Sequence, residues 1–94
     1  MKNSFKFEAK LWVWPGDTPW HFVSMDQEIS KLIREKYPKA SMVKVEAEIL
    51  NIKWSTSLFR NNRDKNYLLP IKKDIRKKAN LQDGEVVEVI VATI

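Results

Sequence analysis

The residues able to do chemistry are few, and their spacing excludes more than it assigns. His21 is the single histidine and there is no cysteine. Cysteine zinc sites, thiolate nucleophiles and disulfides are therefore excluded. A nucleophile–base pair would need a serine or carboxylate that the sequence does not place beside His21, and a histidine metal cluster would need more rings. Flanked by Trp20 and Phe22, His21 reads as a strand residue with its ring at the surface. Glu46 and Glu48 interleave with Val45 and Ala47, the pattern of a solvated strand face. Two glycines leave no phosphate-cradling loop. No catalytic residue, metal ligand or cofactor is assigned.

Two stretches carry candidate binding chemistry. In Trp54-Ser55-Thr56-Ser57, alternation sends Trp54, Thr56 and Leu58 one way and Ser55 and Ser57 the other. Small hydroxyls between aromatic rings can line a ligand pocket, and Trp54, Ser55, Ser57 and Tyr67 are the candidate lining. The plainer reading is a barrel strand whose hydroxyls satisfy backbone groups. The second stretch is basic. Lys72, Lys73, Arg76 and Lys77 lie close on one short helix, with Arg60, Arg63 and Lys65 in the turn before it. Together they make a candidate polyanion surface, for which Tyr67 is the nearby ring able to stack on a base. Its plainer reading is a solvated face that keeps a small protein soluble.

The elements that must position these residues follow from periodicity. Phe5, Phe7, Ala9, Leu11 and Val13 alternate with Lys6, Glu8, Lys10, Trp12 and Trp14, a half-buried strand with two tryptophans on its outer face. Pro15-Gly16-Asp17 is a turn, and Trp20 to Val23 resumes as a strand. A helix follows, capped by Ser24 or Asp26. Ser24 and Gln27 have capping-box spacing; Ile29, Leu32, Ile33 and Tyr37 form the stripe, and Pro38 stops it. Met42, Val43, Val45, Ala47, Ile49 and Ile52 form one extended region, Trp54 to Phe59 another, and Arg60 to Asn66 a polar turn. Tyr67 to Leu69 is a strand, and Pro70 suits the first turn of a helix whose buried face is Ile71, Ile75 and Ala79. Leu81 folds back over that helix end, Asp83-Gly84 turns the chain, and Glu85 to Ile94 is a closing strand covered on both sides over part of its length.

The order strand, strand, helix, strand thus occurs twice, in halves of about 1–50 and 51–94. The two helix starts superpose at a constant offset of 46, Phe22 on Leu68, Val23 on Leu69, Ser24 on Pro70 and Ile29 on Ile75; the last strands match after a further slip of three. The 94 residues are expected to form one domain with one core. The formal charge is +5. Met1 to Glu48 holds eight Lys/Arg against seven Asp/Glu, and Ile49 to Ile94 nine against five, so the excess lies in the second half. No run approaches the roughly 18 apolar residues of a membrane span, and the first residues lack a signal-peptide core, so a soluble cytoplasmic protein is expected.

The ordered set Phe7-x-Ala9, Trp20-x-Phe22-Val23, Trp54-Ser55-Thr56-Ser57-Leu58, Tyr67-x-Leu69-Pro70-Ile71-Lys72-x-x-Ile75-Arg76 and Asp83-Gly84 resembles the uncharacterised bacterial family called domain of unknown function 1905, over almost the whole chain. The resemblance implies a double-split β-barrel, similar to the swapped-hairpin domains of AbrB-type regulators and MazE-type antitoxins. In those proteins each of two chains gives one half; the repeat here implies that one molecule closes its own barrel. Ser24-Met25 stands where the family tends to have a Leu-Pro-like pair, and Gly84-Glu85 where it tends to have Gly-Asp. The resemblance brings no activity with it. AbrB-like DNA recognition would need a symmetric cationic surface, and the first helix carries Asp26, Glu28 and Glu35 beside Lys31 and Arg34.

The expectation is a mainly β chain with two short helices (α+β), monomeric, acting as a non-enzymatic binding or interaction module. The partner, a protein or a polyanion, is not identified by the sequence. The alternative is weak, sequence-nonspecific nucleic-acid binding through the basic second-half surface.

Overall fold

The computed structural model describes residues 4–16, 20–61 and 66–94. The order of elements is β1 (Ser4–Trp14), β2 (Trp20–Ser24), α1 (Gln27–Lys36), β3 (Met42–Ile49), β4 (Ile52–Arg60), β5 (Tyr67–Pro70), α2 (Lys73–Lys78) and β6 (Val86–Thr93). The six strands close into an antiparallel barrel in the order β1-β2-β5-β4-β3-β6. Closure gives every strand a neighbour on both sides, but β4 meets β5 only at Phe59 and Arg60, so residues 52–58 pair with β3 alone.

Alternation along each strand builds the core. Leu11, Val23, Val45, Ala47, Leu58, Leu69, Val89 and Val91 are fully buried. Phe7 and Val43 extend the same cluster. Each buried aliphatic side chain of this size contributes about 1.5–3 kcal/mol relative to full exposure. Ile90 and Ala92 are half-buried on the other face of β6, so that strand is partly covered on both sides, as its composition implies.

The helix ends follow local chemistry. Asp26 caps α1, its carboxylate accepting from the amides of Glu28 (2.9 Å) and Ile29 (3.2 Å). Ser24, the other expected cap, ends β2 and accepts from Trp12 Nε1 at 3.0 Å instead. Of the α1 stripe, Ile33 is buried and Leu32 is exposed. The polar Ser30 takes the buried place, because its hydroxyl accepts from the Tyr67 amide at 3.1 Å. At the end of α2, Asn80 adopts φ 53°, and the amides of Asn80 and Leu81 donate to the carbonyls of Lys77 and Arg76. That left-handed stop satisfies the last carbonyls and folds Leu81 back onto the core.

Three expectations are corrected. Pro70 does not open α2. It is the last residue of β5, paired with Phe22, and the helix starts at Lys73. A proline fits there because it need not donate to the ladder. Met42 to Ile52 is not one extended run. Leu50 and Asn51 both take positive φ, 49° and 67°, and form a two-residue hairpin turn between β3 and β4. The slip between the last strands is four residues, not three. Phe7 pairs with Val89 and Trp54 with Ala47, so Ala47 and Val89 are equivalent if Phe7 and Trp54 are. A slip of three would set Val45 on the solvent-facing Glu88, since side chains alternate with period two.

Several registers are related by a shift of about 46 residues. Val23 pairs with Leu69, 46 positions on, and its neighbours Phe22–Pro70 and Ser24–Leu68 exchange under the same shift. Trp12 pairs with Phe22, and Phe59 pairs with Leu68, which lies 46 beyond Phe22. Trp12 and Phe59 are thus equivalent positions of β1 and β4. Exchanging β1 with β4, β2 with β5 and β3 with β6 returns the same set of strand neighbours. The bonds Met25 N–H to Tyr67 O and Ile71 N–H to His21 O, both 2.9 Å, form one such symmetric pair.

Candidate ligand groove on the outer sheet face

The pairings lay out the outer face of the barrel row by row. Ser24, Leu68, Phe59 and Met42 stand side by side across β2, β5, β4 and β3. Trp12, Phe22 and Pro70 form the next row, and Trp14 and Trp20 the one beyond. Barrel exteriors are ordinarily polar where no helix covers them; this one carries apolar side chains on five strands. Trp20 is 55% exposed, Met42 52% and Phe59 36%. The rings support one another. Trp20 stacks on Phe22 with centroids 6.4 Å apart and planes 13° from parallel, and Trp12 and Trp14 of β1 also pack against Phe22.

Between this face and the start of α2 lies a groove of about 450 Å³. Its apolar walls are Trp20, Met42, Phe59, Pro70 and Ile71, with Thr56 and Ser57 along β4. Lys72, Lys73 and Arg76 edge it. A second depression of about 360 Å³, walled by Trp14, Phe22 and Leu68, adjoins it and shares Trp20 and Phe59.

His21 sits at the back of the groove with its side chain only 14% exposed, not with its ring at the surface. Its Nδ1 lies 2.6 Å from Arg76 Nη1 and its Nε2 lies 3.0 Å from Asp83 Oδ1. A guanidinium only donates, so Nδ1 is the acceptor and the proton resides on Nε2, which donates to Asp83. The histidine thereby holds the Arg76 guanidinium in place. Both ring nitrogens are engaged, which leaves neither to act as a base toward a groove ligand.

The candidate residues expected from sequence separate. Trp54 points into the barrel, packs against the core and buries Nε1 without a protein acceptor. Ser55 is exposed opposite Glu46. Tyr67 is fully buried, its hydroxyl donating toward Ala40 O and accepting from Arg60 Nη2. Of these four, Ser57 lines the groove. Among the cations, Lys72, Lys73 and Arg76 come together there, and Lys77 is exposed further along α2. Arg60 is engaged elsewhere, by Pro38 O at 3.4 Å and over the Tyr67 ring. Arg63 and Lys65 lie outside the described residues.

Sequence reasoning missed Trp20, Phe59 and Met42 as site residues. Their outward parity is readable from each strand alone, but their adjacency depends on the order β2-β5-β4-β3, which no single strand encodes. Tyr67, chosen for stacking, is removed by burial; Trp20 and Phe59 are the exposed rings beside the cations.

Among the described residues, no group of three or more His, Asp or Glu side chains converges as a metal site. Nor is any helix among them long and apolar enough to cross a membrane. A family model described as domain of unknown function (DUF1905) matches residues 7–91. No curated protein matches the chain.

Proposed function

The chain belongs to the DUF1905 family, and from that premise we propose that it is a non-enzymatic binding module whose ligand site is the groove between β2, β4 and the start of α2. The observation that carries this is the exposed apolar face of Trp20, Met42 and Phe59 edged by three cations. Contiguous exposed apolar surface with a polar rim is characteristic of interaction sites, and the groove volume falls within the roughly 300–1,000 Å³ of small-ligand pockets. The engaged nitrogens of His21 support binding over catalysis.

The barrel is in this reading of the double-split type, related to the AbrB and MazE swapped-hairpin domains with both halves fused in one chain. The exchange of strand neighbours between halves supports it. So does the 46-residue shift centred on Val23 and Leu69. Closure within one chain supports a monomer.

A fragment library screened by amide and indole NMR shifts tests the site. Bound fragments are expected to move the Trp20 indole and the amides of Ser57, Ile71 and Lys72, and Trp20→Ala should abolish the response without changing the melting temperature. Fragments that perturb only residues elsewhere, or that bind Trp20→Ala as they bind the parent, would overturn the reading.

A further inference from the structure

The two halves of the barrel differ at the positions that line the groove, and the differences point to a ligand. In the first half, Trp12 Nε1 donates to Ser24 Oγ, closing the outer face over that position. The equivalent residues in the second half are Phe59 and Pro70, which have no side-chain polar atoms to join and instead wall the groove. Ser30, buried and bonded to the Tyr67 amide, has Arg76 as its equivalent 46 positions on. Arg76 is only partly buried, bonded to the His21 ring, and lines the groove. Asp26 and Gln27 become Lys72 and Lys73. The same fold positions that serve packing and capping in one half are apolar walls and cations in the other.

We infer that this outer face binds single-stranded nucleic acid, with bases stacked on Trp20 and Phe59 and phosphates at Lys72, Lys73 and Arg76. The inference rests on the groove being the binding site. Trp20, stacked on Phe22, offers a rigid surface, Phe59 is a second exposed ring beside it, and every base has a face to lay on them. Two adjoining depressions that share Trp20 and Phe59 have room for consecutive bases, which favours a strand over a free nucleotide. A duplex hides its base faces from such a surface. Charge complementarity selects an anionic partner: three cations edge the groove, no Asp or Glu among the described residues lines it, and Asp83 is engaged by the lining His21.

The test is fluorescence anisotropy of a labelled mixed-sequence single strand of about ten nucleotides, within the usual site sizes, titrated with the full chain. The comparators are a duplex of the same length, inorganic polyphosphate and a mononucleotide. The single strand should bind in the micromolar range at low salt and quench tryptophan fluorescence. Log K should fall by about 2 per tenfold rise in salt, from roughly 0.7 for each of three phosphate contacts. Trp20→Ala should weaken it about 5- to 150-fold, the loss of one base–ring stack, with Trp20→Phe between the two. Lys72→Gln with Lys73→Gln should flatten the salt slope by about 1.4. Polyphosphate or duplex binding as tightly as the strand would overturn the inference, since charge alone would then explain it. A mononucleotide binding as tightly, or equal affinity of Trp20→Ala and the parent, would also overturn it. Groove-directed fragments that bind where the strand does not would retire this ligand and leave the groove as a site.

Discussion

Ser30→Ala tests how the two halves are joined. Ser30 and Tyr67 are both fully buried, and the Ser30 hydroxyl accepts the Tyr67 amide at 3.1 Å, tying α1 to the first residue of β5. An ordinary hydrogen bond contributes a net 0.5–1.5 kcal/mol or so, but a buried amide left without its acceptor costs about 1–3 kcal/mol. The second figure applies because no solvent reaches this amide's surroundings. Alanine is the better helix former by roughly half a kcal/mol, which offsets part of the loss. The expected net cost is therefore about 1.5 kcal/mol. For a chain of 94 residues, that lowers the melting temperature by about 6–12 °C, at 4–8 °C per kcal/mol. Urea melts at constant m-value measure it, with Ser55→Ala as the control because Ser55 is exposed. A midpoint for Ser30→Ala indistinguishable from that control would show that the Tyr67 amide finds another acceptor and that the tie is dispensable.

Three further outcomes are expected. Ile33→Ala should cost about 2–5 kcal/mol and Leu32→Ala under about 0.5, because Ile33 is buried and Leu32 is 54% exposed; equal losses in a denaturant series would mean α1 presents another face. Asp26→Ala should cost about 1 kcal/mol through the lost cap, and a normal melting temperature for this variant would remove the cap from the account. Leu50→Asn should raise stability by up to about 1 kcal/mol, since Leu50 holds φ 49° with its side chain 70% exposed and asparagine tolerates that region; a lower midpoint would refute the strain argument.

Local signals were legible and lateral ones were not. Alternation in β1, β3 and β6 and the burial of Ile75 and Ala79 could be read one element at a time, because period and face are local properties; Ile71, expected on the same helical face, is buried but precedes α2. The choice between Ser24 and Asp26 could not, because what decides it is Trp12, which pairs across the sheet and takes Ser24 as its acceptor. Pro70 was ambiguous for a similar reason: a fixed φ suits both a helix start and an extended residue, and only pairing with Phe22 assigns it. The basic cluster was legible as charge but not as a site. Lys72, Lys73 and Arg76 reach the groove, Arg60 turns toward Tyr67, and nothing in their spacing separates them.

The proposed duplication accounts for how the proposed site arises on a chain this small. A symmetric barrel needs each position filled twice, but closure and core packing depend on the inward residues, which the halves keep similar: Val23 with Leu69, Ala47 with Val89, Phe7 with Trp54. The outward residues are under no such demand. Where Trp12 and Ser24 join, Phe59 and Pro70 can stay apart without opening the core, because Leu58 and Leu69 beneath them remain fully buried. Arg76 can replace a buried serine because His21, unlike Tyr67, offers a ring nitrogen to accept from the guanidinium and donates its Nε2–H to Asp83. The groove thus lies where the second half departs from the first, and the three-residue arrangement of Arg76, His21 and Asp83 holds its cationic edge.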